Sequence, residues 1–188
     1  MRSVTYSLST SADGYITSPD GSLDWGAPDK EVFRFATDEV RGLAVHLMGR
    51  RLYETMLYWE DAEETQPLDD DERVFARVWN ALPKVVFSTT LTEVRGANTR
   101  LAAGGLGDEI ARLRAEPGEG NIGVGGAGLA AEAARIGALD EYRVRVYPVL
   151  LGGGIPYFPQ HGVTTALERI GGRSFECGVD FVHYRVLH

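Results

Sequence analysis

Ile122-Gly123-Val124-Gly125-Gly126-Ala127-Gly128-Leu129-Ala130 decides how this chain is read, because it brings glycines to the point where a strand gives way to a helix. Residues 121–124 read as a short strand, and 129–135 as an alanine-rich helix. Glycines at such a junction let the backbone approach a ligand closely. The unpaired N–H groups of a helix start favour a phosphate. Gly123, Gly125 and Gly128 also satisfy the letters of G-x-G-x-x-G, the fingerprint of a dinucleotide-binding Rossmann unit.

The surroundings of the motif do not support that literal match. A Rossmann fingerprint opens a βαβ unit with an acidic residue about 20 positions beyond it. Here Glu132, Asp140 and Glu141 follow the glycines at the wrong distances, and only about 60 residues remain after Gly128. Other familiar chemistries lack their residues. The four histidines (His46, His161, His183, His188) have no metal-ligand spacing, so no metal is expected. There is no nucleophile elbow and no P-loop. His46 lies inside an apolar strand and reads as a packing residue.

The whole chain sets the outer bounds. Its 188 residues make one domain, 1–188, with 44% hydrophobic and 24% charged residues, as in ordinary globular proteins. A net charge of −8 argues against a nucleic-acid partner. The lone Cys177 forms no intrachain disulfide and reads as a small, at least half-buried strand residue. No apolar run approaches the roughly 18 residues that span a bilayer, and no signal segment is evident, so a cytoplasmic protein without membrane contact is expected.

Strands and helices alternate at first. Residues 3–9 predict a strand, followed by a long loop (10–28) with turn signals at Asp13-Gly14 and Pro19-Asp20-Gly21. Helical spacing covers 29–41, a buried strand 43–48, and a helix 50–57. Between Glu60 and Glu72 stand eight acidic residues, read as a solvated loop feeding a helix that carries Phe75, Val78, Trp79 and Leu82. Strands are predicted at 84–87 and 99–102, a helix at 107–115, and an alternating strand at 141–149 that ends before Gly152-Gly153-Gly154. Residues 175–187 supply the closing strands. The order predicts an α/β fold whose mainly parallel sheet has an antiparallel C-terminal edge.

Four separated segments together resemble the dihydrofolate reductase-like family, which includes the C-terminal reductase domain of the riboflavin-biosynthesis deaminase/reductase and its stand-alone paralogues. They are Ser11-Ala12-Asp13-Gly14-Tyr15-Ile16, Met48-Gly49-Arg50-Arg51-Leu52-Tyr53-Glu54, Val85-Val86-Phe87-Ser88-Thr89, and residues 123–130. The run from Asp140-Glu141-Tyr142 to Gly154 looks like the riboflavin-reductase and stand-alone branch. The resemblance implies a three-layer sandwich with helices on both faces of a mixed sheet. It also implies NADPH as cofactor, a small-molecule substrate and a homodimer. An alternating edge strand such as 141–149 would also need a partner or cover.

Physical chemistry and resemblance point to the same residues. Gly49 ends a strand and Arg50-Arg51 open a helix, which combines amides with guanidinium groups on an anion. Ser88 and Thr89 place hydroxyls at another strand end. By resemblance, Arg50, Ser88 and Thr89 hold the 2′-phosphate side of NADPH, and Gly125, Gly126, Ala127, Gly128 and Leu129, following Val124, receive the pyrophosphate. The Gly125–Gly126 peptide is cis in the family. Asp13, Gly14, Tyr15 and Ile16 would close over the nicotinamide.

Two departures bear on function. Leu52 stands where the family carries a threonine that contacts phosphate. The buried acid of folate-reducing members falls nearest Asp29, which reads either as a proton donor or as a first-turn helix residue. Asp24-Trp25 reads as part of the substrate side, with Trp25 equally a cover for the helix, and Arg34, Arg143 and Arg145 as a substrate-phosphate site or as surface charges. The expected activity is hydride transfer from NADPH to a small heterocycle or carbonyl compound. The alternative is a nucleotide-binding or ligand-sensing protein that retains the fold.

Overall fold

The computed structural model describes residues 1–160 and 162–187, so His161 and His188 lie outside the described residues. The chain starts in the middle of its sheet with β1 (Val4–Ser11), crosses through α1 (Lys30–Arg41), and builds outward through β2 (Leu43–Gly49), β3 (Lys84–Phe87) and β4 (Thr99–Leu101). Helices α2 (Arg50–Met56), α3 (Ala62–Thr65) and α4 (Asp70–Ala81) lie between β2 and β3. After α5 (Leu106–Ala115) the chain returns with β5 (Asn121–Gly125) between β1 and β2, then passes through α6 (Ala127–Arg135) to β6 (Glu141–Tyr147) on the far side of β1. β7 (Leu167–Ser174) and β8 (Asp180–Val186) complete the order β4-β3-β2-β5-β1-β6-β8-β7. Pairings from β4 through β6 are parallel, and those of β6, β8 and β7 antiparallel.

Period-two alternation sorts the side chains of these strands onto two faces. Val4, Tyr6, Val45, Leu47, Ile122, Val124, Tyr142 and Val144 form one apolar core with Ile110 of α5 and Ala130 of α6. Their neighbours point to the opposite face, where α1 and α4 pack. Helix starts are set locally. The Asp29 carboxylate accepts from the Val32 amide at 2.9 Å, and Asp69 forms a capping box with Glu72, so the acidic stretch feeds a helix N-terminus as expected. The buried Lys84 ammonium closes the other end of α4, donating to the carbonyls of Trp79 (2.8 Å) and Leu82 (3.1 Å). No helix among the described residues is long and apolar enough to cross a membrane.

Three expectations are corrected. First, β7 precedes residue 175; its Gly171-Gly172 pair and charged residues hide it from pattern reading, and its register with β8 shifts between Arg169 and Gly171. Second, Cys177 is exposed in the β7–β8 turn rather than in a strand, because β8 begins only at Asp180. Third, β6 is no edge, since it pairs with β1 on one side and β8 on the other. Trp25 proves to be a cover: it meets the Tyr147 ring edge-on at 5.6 Å and packs with Val32.

Candidate active site

The three glycine and hydroxyl segments singled out in the sequence fall on three adjacent parallel strands. Gly49 aligns with Phe87, and Met48 with Gly125, so the ends of β3, β2 and β5 stand in a row. At the usual strand spacing the row is about 10 Å wide. It lies at the carboxyl edge of the sheet, beside the point where the chain switches from one side of β1 to the other, the usual place for a ligand in such a sheet.

Two of the segments leave open space there, at Gly49 and at Gly126 and Gly128. Gly49 has an extended φ of −75° and a Cβ built on it would meet nothing within 4 Å, so neither conformation nor packing calls for glycine. Gly128 is likewise open, although glycine in a helix costs about 1 kcal/mol against alanine. The intrahelical ladder of α6 starts with the Ala130 amide on the Gly126 carbonyl, at 3.0 Å, so the amides of Ala127, Gly128 and Leu129 lie in the first turn, where no intrahelical acceptor exists. Val124 contributes backbone only, its side chain being buried in the apolar core, and Leu129 packs partly against the same core.

The expected cis peptide is absent. No cis bond occurs among the described residues, and Gly126 makes the turn with φ +90° and ψ 133°, a combination only glycine adopts readily. The strand therefore reaches the helix through one left-sided residue.

Arg50 leaves α2 exposed. Its Nε donates to Glu54 at 2.7 Å and its Nη1 to the Thr90 hydroxyl at 2.9 Å, which ties α2 to the loop after β3. The sequence signal for Thr90 is the Ser88-Thr89-Thr90 run itself. Ser88 caps that turn, accepting from the Thr90 (3.1 Å) and Leu91 (3.0 Å) amides. Thr89 and Arg51 are exposed beside it.

The loop after β1 is stitched down. The Leu151 and Gly152 amides donate to the Asp13 carboxylate at 3.1 and 2.7 Å, the Ile16 amide to the Ile155 carbonyl at 2.8 Å, and the Tyr157 amide to the Gly14 carbonyl at 2.9 Å. The Ser11 hydroxyl, with those two amides, holds the Asp13 carboxyl below its ordinary range. A Cβ on Gly154 would overlap the Thr17 carbonyl, so glycine is obligatory there. The glycine run 152–154 is thus the counterpart of Asp13-Gly14, a pairing invisible in sequence. Asp29 stands exposed at the start of α1, one carboxylate oxygen on its own helix cap.

Beneath α1 and α4 lies a cavity of about 180 Å³. Gly123 and Gly125 lie on its sheet side. A Cβ on Gly123 would meet Leu43 Cδ1 at 2.7 Å, and one on Gly125 would collide with Leu52 and His46. Leu52 therefore fills the space over Gly125 as hydrocarbon where a hydroxyl was the family expectation. His46 packs edge-on against Trp79 at 5.5 Å; burial, helped by the Lys84 charge, pushes its pKa down to about 4, so it is neutral at pH 7. Opposite it, Glu39 of α1 pairs with Arg145, which also donates to the Ser7 hydroxyl at 2.9 Å. Arg143 pairs with Glu141 at 3.0 Å. Neither arginine is a surface charge or an unpaired anion site, and Arg34 is held away on Asp71 at 2.8 Å.

Comparison with known proteins agrees with this geometry. The uncharacterized protein YyaP of Bacillus subtilis (strain 168) is 27% identical over 183 residues, covering 97% of this chain and 94% of YyaP. Among solved structures, a putative riboflavin biosynthesis protein from Shewanella sp. PV-4 superposes with a TM-score of 0.75 at 23% identity, covering all of both chains. Dihydrofolate reductase from Enterococcus faecalis, complexed with NADP(H), superposes with a TM-score of 0.62 at 17% identity over 99% of this chain and 97% of that one. These structures share the fold, a dihydrofolate reductase-like α/β sandwich around an eight-stranded mixed sheet. Residues 2–181 match the RibD C-terminal domain, and with the strand order and the row of open strand ends, this places the chain in the RibD C-terminal domain family.

Proposed function

We propose that this protein is an NADPH-dependent reductase that passes a hydride to a small heterocyclic or carbonyl substrate. The observation that carries the reading is the row formed by the ends of β3, β2 and β5, where Gly49 and Gly128 leave open space beside the first turn of α6. NADPH fits this row. Amides of Ala127, Gly128 and Leu129 suit its pyrophosphate, while Arg50, with Arg51, Ser88 and Thr89 beside it, suits the 2′-phosphate. Gly126, with nothing within 4 Å of a Cβ built on it, lets the backbone that follows Gly125 come close, and Ile16 on the stitched loop suits the nicotinamide side. When bound, NADPH supplies the hydride. The protein's own work is to orient the substrate and exclude water from it.

Asp29 is the proposed proton donor, at the edge where the helix start meets the carboxyl ends of the strands. The dihydrofolate reductase of similar fold carries NADP(H), which supports the cofactor assignment. We further propose a cytoplasmic homodimer; gel filtration at micromolar concentration returning a monomer removes the dimer. A second reading is favoured by Leu52, which takes a hydroxyl away from the phosphate row: a nucleotide-responsive binding protein. The deciding experiment is NADPH titration followed by NADPH oxidation over pterins, pyrimidines and carbonyl compounds. Turnover supports the reductase, tight binding without turnover the sensor, and absence of NADPH binding overturns both.

A further inference from the structure

The amino-terminal end of the sheet, away from the row of strand ends, carries a second concentration of charge. Arg2 before β1, Arg100 on the edge strand β4 and Arg112 in the last turn of α5 line one open groove of about 580 Å³. Val45 of β2 stands in this groove and Gly49 of the same strand in the row, about 13 Å further along. One oxygen of the buried Glu109 carboxylate accepts from Arg100 and, at 2.6 Å, from Arg112. Glu116 pairs with Arg112 and, at 3.5 Å, with Arg2. Three guanidinium groups therefore share two carboxylates. Lys84, which also lines the groove, pairs with Glu60 at 3.5 Å and adds no net charge. The groove keeps a surplus of one positive charge in a protein whose net charge is −8.

Hydrogen-bond donors are left over as well. Arg2 gives its two terminal nitrogens to the carbonyls of Leu113 (3.3 Å) and Pro117 (3.1 Å), which covers the negative end of α5. Its buried Nε has no partner among the described residues. Arg100 donates through Nη1 to the Leu101 carbonyl at 3.3 Å and through Nη2 to Glu109, and Arg112 through its two terminal nitrogens to Glu109 and Glu116. The protein claims the Nε–H of neither. Three such donors and a surplus charge around one groove suit an oxyanion, the acceptor that a guanidinium group matches best. Ala44, Pro83 and Val85 complete the lining with hydrocarbon, on which an apolar body can lie.

We propose that this groove binds a small organic anion, a carboxylate or phosphate monoester on an apolar body, with its oxyanion held by Arg2, Arg100 and Arg112. A volume of about 580 Å³ accommodates a substituted ring. Glu109 is a positioning residue, since its one oxygen holds Arg100 and Arg112 together. Glu116 opposes the ligand, because its carboxylate competes for Arg2 and Arg112. The groove shares no residue with the row of strand ends, so the proposal does not rest on the reductase reading.

The test is titration of the full chain at low ionic strength, followed by the NMR shifts of its backbone amides. Benzoate and phenyl phosphate serve as the two anions and benzamide as their neutral counterpart. The expected result is saturable binding of at least one anion with Kd below about 5 mM, and none of benzamide. Amides of Ala44, Arg100 and Leu113 should move, and those of Gly49 and Ser88 should not. The tighter anion names the head group. Arg100→Gln should weaken its binding about fivefold, as for one partly exposed charge-assisted bond, and Glu116→Gln should strengthen it about threefold by removing a competing carboxylate. A general loss of structure cannot produce opposite signs. Should Arg100→Gln fail to fold, Arg112→Gln takes its place, with wild-type-like circular dichroism as its control. No saturable anion binding, equal binding of benzamide, shifts confined to the row of strand ends, or weakening by both variants overturns the proposal. Anion binding without NADPH binding rejects the reductase reading and leaves the groove standing; NADPH binding without anion binding in the groove does the reverse.

Discussion

The two faces of the sheet are built from the same strands and filled in opposite ways. Toward α5 and α6, β1 presents Val4, Tyr6 and Leu8, and β5 presents Ile122 and Val124, all within one apolar core. Toward α1 and α4 the alternate positions are Thr5 and Ser7 on β1, Gly123 and Gly125 on β5, His46 on β2, and Arg143 and Arg145 on β6. One face is an apolar interior throughout, while on the other these polar positions line a cavity beside a second apolar cluster that includes Met48, Phe75 and Trp79. A strand has two sides at no extra length, so stability and chemistry can be assigned to different residues of one segment. Substitutions on the two faces should therefore separate loss of stability from loss of binding.

The largest effect is expected on the apolar face. Ile110→Ala removes a side chain that is 2% exposed and should lower unfolding stability by about 3 kcal/mol in urea titration, with NADPH affinity of the folded protein unchanged. A parallel loss of affinity would break the division. On the cavity face, His46 gives a pH signature. Its folded pKa of about 4 lies below the ordinary 6.5, so the unfolded chain binds the proton more readily. Its stabilising contribution is complete above pH 6.5 and lost as the pH falls toward 4, by on the order of 3 kcal/mol. Denaturation curves of His46→Gln should be flatter than wild type across that interval; parallel curves would mean that His46 is protonated within the fold.

Smaller effects follow at the row of strand ends. Gly126→Ala forces a side chain into φ +90° and should lower stability by about 1–3 kcal/mol while weakening NADPH binding more than tenfold, read by calorimetry. Arg50→Ala removes only exposed bonds and should change stability by less than about 0.5 kcal/mol. Its effect should fall on affinity, about tenfold for NADPH and little for NADH. Asp13→Asn should leave both nearly unchanged and accelerate amide hydrogen exchange at Leu151 and Gly152, whose bonds to the carboxylate it weakens.

What was legible in the sequence was periodic or local. The alternation of residues 4–8 and 142–146, the helix start near Asp29, the helix fed by the acidic stretch, and the glycine junction all became elements within a few residues of expectation. The segments of the row are legible too, because each carries its own glycine or hydroxyl signal, but their adjacency is set by the strand order. The cavity is not. Alternation says that Arg143 and Arg145 share a face, but whether that face meets water or a helix depends on α1, about a hundred residues earlier, and on the single carboxylate of Glu39. For the same reason His46 read as packing alone. Its unmet nitrogen becomes evident only once Gly123 and Gly125 lie opposite it without side chains.

Because β5 lies between β1 and β2, the sheet cannot close in the order the ribosome delivers it. A nascent chain that has emerged as far as Ser88 has both strands made and the space between them vacant, with two unpaired inner edges available for wrong pairing. Arrival of residues 121–125 heals that seam and in the same event sets Gly125 and Gly126 beside Gly49. Closing the seam and assembling the row of strand ends are thus a single step in biosynthesis, with α6 and β6 still to join the core, and a chain truncated before β5 should have neither.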